Sequence, residues 1–341
     1  VTDGGGALMS DDRILFIADA GPAIGGGHVM RSLTLARALQ ARGADCTFRS
    51  HPDGDAVLDA FAPDLFRVED DAGFDALVFD HYALSAQDHL ALARGRPVLV
   101  IDDLADRPLG ADMVLDSGMG RRASDYRGLV QDGCLLLLGP DHAPMRPDFV
   151  ALRAGTLARR GEGGAVRRIL VSLGLTDVGG FTLPAVQRLR GAAEIDVVVG
   201  SGAASLAGLT ALADEDPSVT LHVDTRDMAR LTARADIAIG GGGSSSWERC
   251  VLGLPTLLLV LADNQTQAAV ALAEAGAVIA LDAAAEFESG FDAAAARLIA
   301  EGALRRRLSQ AASTVCDGRG ADRVADAFLA LIRQRAGATT G

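Results

Sequence analysis

Short apolar runs alternate along the chain with longer stretches in which apolar residues recur every three or four positions. In the first half the runs fall at residues 14–18, 46–50, 76–79, 98–101, 113–115 and 134–138. Residues 29–41, 86–94 and 123–129 carry helical spacing between them. Short continuous apolar runs bounded by turn residues read as buried strands. Strands alternating with helices predict βαβ units and a mainly parallel sheet. A break follows, with Arg159-Arg160-Gly161-Glu162-Gly163-Gly164 and Arg167-Arg168. This stretch is basic, glycine-rich and poor in apolar residues, which predicts an interdomain linker at 151–168. The alternation restarts at 169–173 and continues at 195–199, 219–223, 237–239, 256–260 and 278–280. The predicted organisation is α/β: a flexible tail at 1–11, a Rossmann-like domain over 12–150, the linker, and a second Rossmann-like domain over 169–337. The two domains are expected to face each other across a cleft. Only the architecture repeats; no sequence repeat links the halves.

Composition narrows the function classes. The 341 residues exceed one ordinary core, and 49% are hydrophobic, which marks a folded chain. The net charge of −13 offers no basic stripe for a nucleic acid. It leaves room for a nucleotide, which helix N-termini can hold with few cations. Cys46, Cys134, Cys250 and Cys316 are scattered without a CxxC pair. They read as reduced cytoplasmic thiols rather than as a metal site or a disulfide framework. The start of the chain lacks the basic and apolar regions of a signal peptide, and the apolar run at 254–262 is too short to span a bilayer.

The chemistry concentrates where strands end. Ile24-Gly25-Gly26-Gly27-His28-Val29-Met30-Arg31 joins the first strand to the first helix. Glycines in such a turn expose N–H groups and place His28 in the first helical turn, a setting that favours an anion and disfavours a charge on the imidazole. A neutral imidazole can accept a proton, so His28 is a candidate general base. A packing turn with an exposed histidine is the alternative. Asp80-His81-Tyr82 and Asp102-Asp103 follow two further strands, at the carboxyl ends where open parallel sheets bind ligands. An Asp in such a place also serves as a helix N-cap.

The second half carries the densest motif. Ile239-Gly240-Gly241-Gly242-Gly243-Ser244-Ser245-Ser246-Trp247-Glu248 runs from a strand through glycines and serines into a helix. It reads as an anion cradle, with Glu248 one turn on and in reach of sugar hydroxyls. A second such turn is Gly174-Leu175-Thr176-Asp177. Asp263-Asn264-Gln265 follows the strand at 256–260, and its amides suit hydroxyl or N-acetyl groups. A polar turn with N-cap duty is as good a reading of that segment.

Taken together, the motif at 24–31, Asp80-His81-Tyr82, Asp102-Asp103, Ala123-Ser124-Asp125-Tyr126, Gly174 with Thr176-Asp177, Ser245 with Glu248, and Asn264-Gln265 resemble one family over residues 13–282. It is the UDP-2,4-diacetamido-2,4,6-trideoxy-β-L-altropyranose hydrolase family of pseudaminic acid biosynthesis. Its wider relatives are GT-B glycosyltransferases that use UDP-N-acetylglucosamine. The resemblance implies a GT-B fold and a UDP-sugar hydrolase that works by inversion without metal or cofactor, with a UDP-sugar as substrate and UDP as product. His28 would activate water. Gly27, Arg31, Asp80, His81, Tyr82, Asp103, Asn264 and Gln265 would contact the substrate. Gly174, Thr176, Met228, Gly243, Ser244, Ser245 and Glu248 would hold UDP. Leu175 replaces a family glycine, Asp116, Gly118 and Gly120 replace Asn and Tyr, and His142-Ala143-Pro144-Met145-Arg146 departs from the family segment. A glycosyltransferase of the same fold using a UDP-N-acetylamino sugar, or a non-catalytic UDP-sugar-binding protein, are the other expectations. Oligomeric state is not legible.

Overall fold

The structure is a computed structural model that describes residues 12–20 and 26–339. The expected tail at 1–11, and Ile24 and Gly25 of the first glycine motif, lie outside the described residues. The chain divides into two compact units. The first runs through Ser117, takes Arg121–Leu138 and ends with the segment from Gly320; the second takes Gly118–Gly120 and Gly139–Arg319.

Unit one is built on seven parallel strands: β1 (Arg13–Ala18), β2 (Asp45–Arg49), β3 (Arg67–Val68), β4 (Ala76–Asp80), β5 (Val98–Ile101), β6 (Met113–Asp116) and β7 (Leu135–Leu138). Their order is β3-β2-β1-β4-β5-β6-β7. Helices α1 (Gly27–Gln40), α2 (Pro52–Phe61) and α3 (Ala86–Ala93) connect the early strands. Strand order reverses between β1 and β4, whose ends pair Ala18 with Asp80. That reversal is the crevice where open α/β sheets take ligands. The strands were legible because both sheet faces are covered, so the central ones read as unbroken apolar runs: all of Ala76–Asp80 is buried. Phe16 and Phe48 stack at 5.0 Å across neighbouring strands.

Unit two repeats the plan. In chain order it holds α4 (Pro147–Glu162), β8 (Arg168–Ser172), α5 (Thr182–Leu189), β9 (Glu194–Val199), α6 (Leu206–Glu215), β10 (Val219–Val223), α7 (Met228–Arg234), β11 (Ile237–Gly241), α8 (Ser245–Val251), β12 (Thr256–Val260), α9 (Thr266–Glu274), β13 (Val278–Asp282), α10 (Ala283–Ala300) and α11 (Gly302–Val315). The parallel sheet has the order β10-β9-β8-β11-β12-β13, so its reversal lies between β8 and β11. A final helix, α12 (Gly320–Thr339), belongs to unit one. It packs along α1 and buries Val324, Ala325, Phe328, Leu329 and Ile332 in that unit's core.

Three expectations are corrected. The linker at 151–168 is mostly α4: Arg153 donates to the carbonyls of Val251, Ser313 and Cys316, and Arg160 to those of Thr232, Ala235 and Leu252. Arginines that read as part of a linker thus serve as part-buried and buried donors for orphan carbonyls. The second domain does not extend to 337, because α12 carries its apolar face back to unit one. The helix expected at 123–129 is a single 3₁₀ turn, Ala123–Tyr126. The buried Tyr126 draws it in, and Gly128 turns the chain at a φ of 77°.

Candidate functional site

The reversal point of unit one gathers a charged cluster. His28, Arg31 and Ser32 stand at i, i+3 and i+4 on α1 and share one helical face. That face meets Asp80 at the end of β4. The His28 Nδ1–H donates to Asp80 Oδ1 at 2.5 Å. Arg31 grips the same carboxylate with two bonds, Nε to Oδ2 at 2.7 Å and Nη2 to Oδ1 at 2.6 Å. Its Nη1 donates to Asp103 Oδ2 at 2.8 Å, and the Tyr82 hydroxyl donates to Asp103 Oδ1 at 2.5 Å. Tyr82 stands edge-on to the His28 ring, with centroids 4.5 Å apart.

The electrostatics follow from these contacts. Burial alone would raise the Asp80 carboxyl; the Arg31 guanidinium and the His28 ring outweigh it and hold the group well below the usual carboxylate range. Asp103 is lowered in the same way, burial being outweighed by Arg31 and the Tyr82 hydroxyl. Burial raises the Tyr82 phenol, with the Asp103 charge adding to it. An ionised carboxylate has no proton to share, so the proton between His28 and Asp80 sits on Nδ1. In the neutral imidazole the lone pair is then on Nε2. Two carboxylates against one guanidinium leave this quartet one negative charge in excess while the imidazole is neutral. A proton taken up by His28 cancels that excess.

A second, deeper group supports the first. The Tyr126 hydroxyl lies 2.8 Å from both Asp102 Oδ2 and Asp116 Oδ2, and all three side chains are buried. Arg121 Nε lies 2.5 Å from Asp116, and Arg121 Nη2 donates to the Asp103 carbonyl at 2.7 Å. The loops after β5 and β6 are thereby tied beneath the His28 cluster. His81 makes none of these bonds: its Nδ1 accepts from the Ala83 N–H at 3.2 Å and lies 3.5 Å from Asp19 Oδ2. Gly27 opens α1, and a Cβ there would meet nothing within 4 Å.

In unit two the two turns expected to hold UDP lie at the ends of β8 and β11, on either side of the reversal. Gly174 has a φ of 115°, and nothing stands where its Cβ would be, so this turn needs a glycine and stays open. Thr176 is half-buried beside it. Leu175 is 41% exposed, and its carbonyl accepts from Gly200 N–H at 2.8 Å. Asp177 caps α5 through the Thr182 N–H and hydroxyl. Of the four glycines at 240–243, three are closed. A Cβ at Gly240 would strike Arg249, at Gly241 would crowd Leu261 and the Leu173 carbonyl, and at Gly242 would crowd Gln265. Gly243 alone of the four is open. Ser244 is exposed and makes no capping bond, while Ser245 Oγ accepts from Arg249 Nη1 at 3.0 Å.

Glu248 and Gln265 have partners that the sequence did not suggest. Glu248 accepts from Arg146 Nη2 at 3.2 Å; burial raises its carboxyl, with Arg146 opposing. Gln265 uses its amide oxygen on the Gly242 and Leu261 N–H groups, so it ties two loops together, while Asn264 is exposed. Met228 opens α7 as its first residue. Arg146, Arg249, Tyr126 and Arg121 were not singled out from the sequence as site residues. The four-residue step from Ser245 to Arg249 in a helix was the available sign for one of them. A cavity of about 530 Å³ lies elsewhere, between α4 and α7, lined by Thr156, Arg159, His222, Arg230 and Arg234. Asp196 and Asp236 already pair with His222, Arg234 and Arg159 there. Among the described residues no cluster of three His, Cys, Asp or Glu could hold a metal, and no helix is long and apolar enough to cross a membrane.

No family model matches the chain. A Campylobacter jejuni protein named as UDP-2,4-diacetamido-2,4,6-trideoxy-β-L-altropyranose hydrolase is 24% identical over 277 residues, 77% of this chain and 97% of that one. The spore coat polysaccharide biosynthesis protein SpsG of Bacillus subtilis is 26% identical over 284 residues, 77% of this chain and 82% of that one. The crystal structure of Acinetobacter baumannii MurG superposes with a TM-score of 0.66 at 17% identity, covering 94% of this chain and 99% of that one. A spinosyn rhamnosyltransferase superposes at 0.60 and 16% identity, covering 92% and 100%. The solved structures correct the expectation of a hydrolase of pseudaminic acid biosynthesis. The solved structures that share the architecture over nine-tenths of the chain are named predominantly for sugar transfer. What the superpositions establish is the architecture: the chain has the GT-B fold, in two Rossmann-like units.

Proposed function

We propose that this protein is a GT-B glycosyltransferase that takes an N-acetylamino sugar from its UDP conjugate and gives it to a hydroxyl acceptor. The observation that carries the reading is the His28–Asp80 pair. A buried, ionised carboxylate fixes the imidazole proton on Nδ1 and leaves Nε2 to accept one. As the acceptor hydroxyl attacks the anomeric carbon, its proton passes to His28 Nε2. The bond between that carbon and the UDP oxygen breaks, and UDP leaves. A single displacement of this kind inverts the anomeric centre. Asp80 stabilises the imidazolium that forms, in the manner of an Asp behind a catalytic histidine.

Unit two supplies the nucleotide side. Gly174, Thr176, Gly243, Ser244 and Ser245 take the diphosphate, Glu248 the ribose hydroxyls, and the backbone at Met228 borders the uracil. Asn264 and the amide nitrogen of Gln265 suit an N-acetyl group. Gly27, Arg31, Asp80, His81, Tyr82 and Asp103 shape the acceptor side. Buried free thiols at Cys46, Cys250 and Cys316 fit a reducing cytoplasm.

The test follows UDP release from a panel of UDP-N-acetylamino sugars by phosphorus NMR, with and without hydroxyl acceptors. Release that depends on the acceptor, with a new glycoside formed, is the expected result. Release at the same rate in water alone would overturn the transferase reading.

A further inference from the structure

Arg249 is 4% exposed and lies under the loop that joins β11 to α8. Its Nη2 donates to the Gly241 carbonyl at 2.6 Å and to Ser246 Oγ at 3.0 Å; its Nη1 donates to Ser245 Oγ at 3.0 Å. Every one of these acceptors is neutral. The described residues give Arg249 no carboxylate partner, and the neighbouring Glu248 is held by Arg146. Burial lowers the guanidinium to about 10, so it remains charged at neutral pH. A buried cation bonded only to neutral acceptors, with the Glu248 charge acting on it merely through space, is costly, and a fold that needed only packing would place an apolar residue there.

The chain has made room for this one. A Cβ at Gly240 would stand 2.5 Å from Arg249 Cζ, so the glycine at the end of β11 is the seat of the guanidinium. The two serines it touches are set differently. Ser246 accepts from Nη2 and turns its own hydrogen to the Gly241 carbonyl at 3.3 Å. Ser245 accepts from Nη1, and no described acceptor takes its hydrogen. A hydroxyl has one proton to give. That of Ser245 is left for a group outside the protein, beside the open Gly243.

We infer that Arg249 is a positioning residue for an anionic diphosphate: it supplies a positive charge that no carboxylate bonds beneath the loop and turns the Ser245 hydroxyl to donate to a phosphate oxygen. The inference rests on the nucleotide reading given under Proposed function and adds the charge that reading lacks. The ligand chemistry is that of a nucleoside diphosphate, whose charge lies on the phosphates and whose base and ribose are neutral.

Calorimetry on the full chain with UDP, uridine and inorganic pyrophosphate tests it. Arg249→Met is expected to weaken UDP by about tenfold or more, in keeping with a charge-assisted contact. It should flatten the salt dependence of UDP binding and leave uridine unchanged. Arg249→Lys, which keeps the charge, should recover part of the loss. Ser245→Ala should weaken UDP but not uridine, and should add little on top of Arg249→Met. Equal losses for UDP and uridine, or unchanged UDP binding, would reduce Arg249 to packing and overturn the inference. Should Arg249→Met fail to fold, Ser245→Ala and Arg249→Lys carry the same comparison of UDP against uridine. Should the wild type bind neither UDP nor uridine, the nucleotide reading fails. Pyrophosphate binding lost in Arg249→Met would then still uphold the charge.

Discussion

His28 Nδ1 lies 2.5 Å from Asp80 Oδ1 although 52 positions separate the two residues. The contact exists because β1 and β4 are neighbours in the sheet, so the helix that leaves β1 opens beside the end of β4. His28→Asn keeps a polar side chain and removes the basic nitrogen. Turnover is expected to fall by roughly a hundredfold to ten-thousandfold, the usual range for a positioned general base. Nucleotide affinity by calorimetry should not change. Undiminished turnover would remove His28 from the chemistry.

Asp80→Asn tests the other partner through pH. Asp80 and Asp103 are lowered in the folded protein, so the unfolded chain takes up their protons first as pH falls. Their contribution is therefore present above the ordinary carboxylate range, near pH 4, and is lost as pH drops through the lowered values. At pH 7 the variant should be less stable by roughly 1.5–3 kcal/mol, the range for hydrogen bonds to charged groups. The gap to wild type should close towards pH 2 in urea titrations. A gap that does not vary with pH would mean the carboxylate charge is not what stabilises the cluster.

Glu248→Ala is expected to weaken UDP by roughly 1.5–3 kcal/mol. A deoxyribose analogue should lose much less. Equal losses in calorimetry would mean that Glu248, which accepts from Arg146 in this structure, does not hold the ribose.

Two glycines of the same run, Gly240 in β11 and Gly243 in the loop after it, should behave in opposite ways. Gly240→Ala would drive a Cβ into Arg249 and should lower the melting temperature, with an overpacking cost of about 1–3 kcal/mol. Gly243→Ala meets nothing and should melt like wild type, yet bind UDP more weakly. Matching melting temperatures for the two variants would remove Arg249 from the seat described.

Tyr126→Phe takes away the hydroxyl that lies between Asp102 and Asp116. Two buried carboxylates then face each other without it. Arg107 and Arg121 stay on the two carboxylates, so the loss is that of the hydroxyl bond to a charged group, roughly 1.5–3 kcal/mol, read as a lower urea midpoint at pH 7. An unchanged midpoint would show that the bridge does not stabilise unit one.

The sheet order was within reach of the sequence because buried parallel strands announce themselves as apolar runs. β3 escaped because two half-buried residues, Arg67–Val68, make no pattern. Around His28 the local signals were good: a glycine turn, a histidine, an arginine three residues on, and Asp-His-Tyr after a strand. The bond that ties His28 to Asp80 was not local, since only the strand order sets α1 against Asp80. In unit two the glycine run suggested an open cradle. Three of its four glycines are closed against side chains or a carbonyl, which a letter code cannot tell from open ones. α4 was hidden by its arginines, whose burial depends on carbonyls up to 163 positions away.

The return of α12 to unit one has a consequence for how the protein is made. Residues 139–319 form an uninterrupted stretch within unit two, and that unit can complete its core while the ribosome is still at work. Unit one cannot. Val324, Phe328 and Ile332 must be synthesised before its earliest helix, the one that bears His28, finds its full packing. Of the two units, the one begun first is the last to be finished. A stop codon near position 320 would strike the histidine's surroundings rather than those of the unit that precedes it in the message.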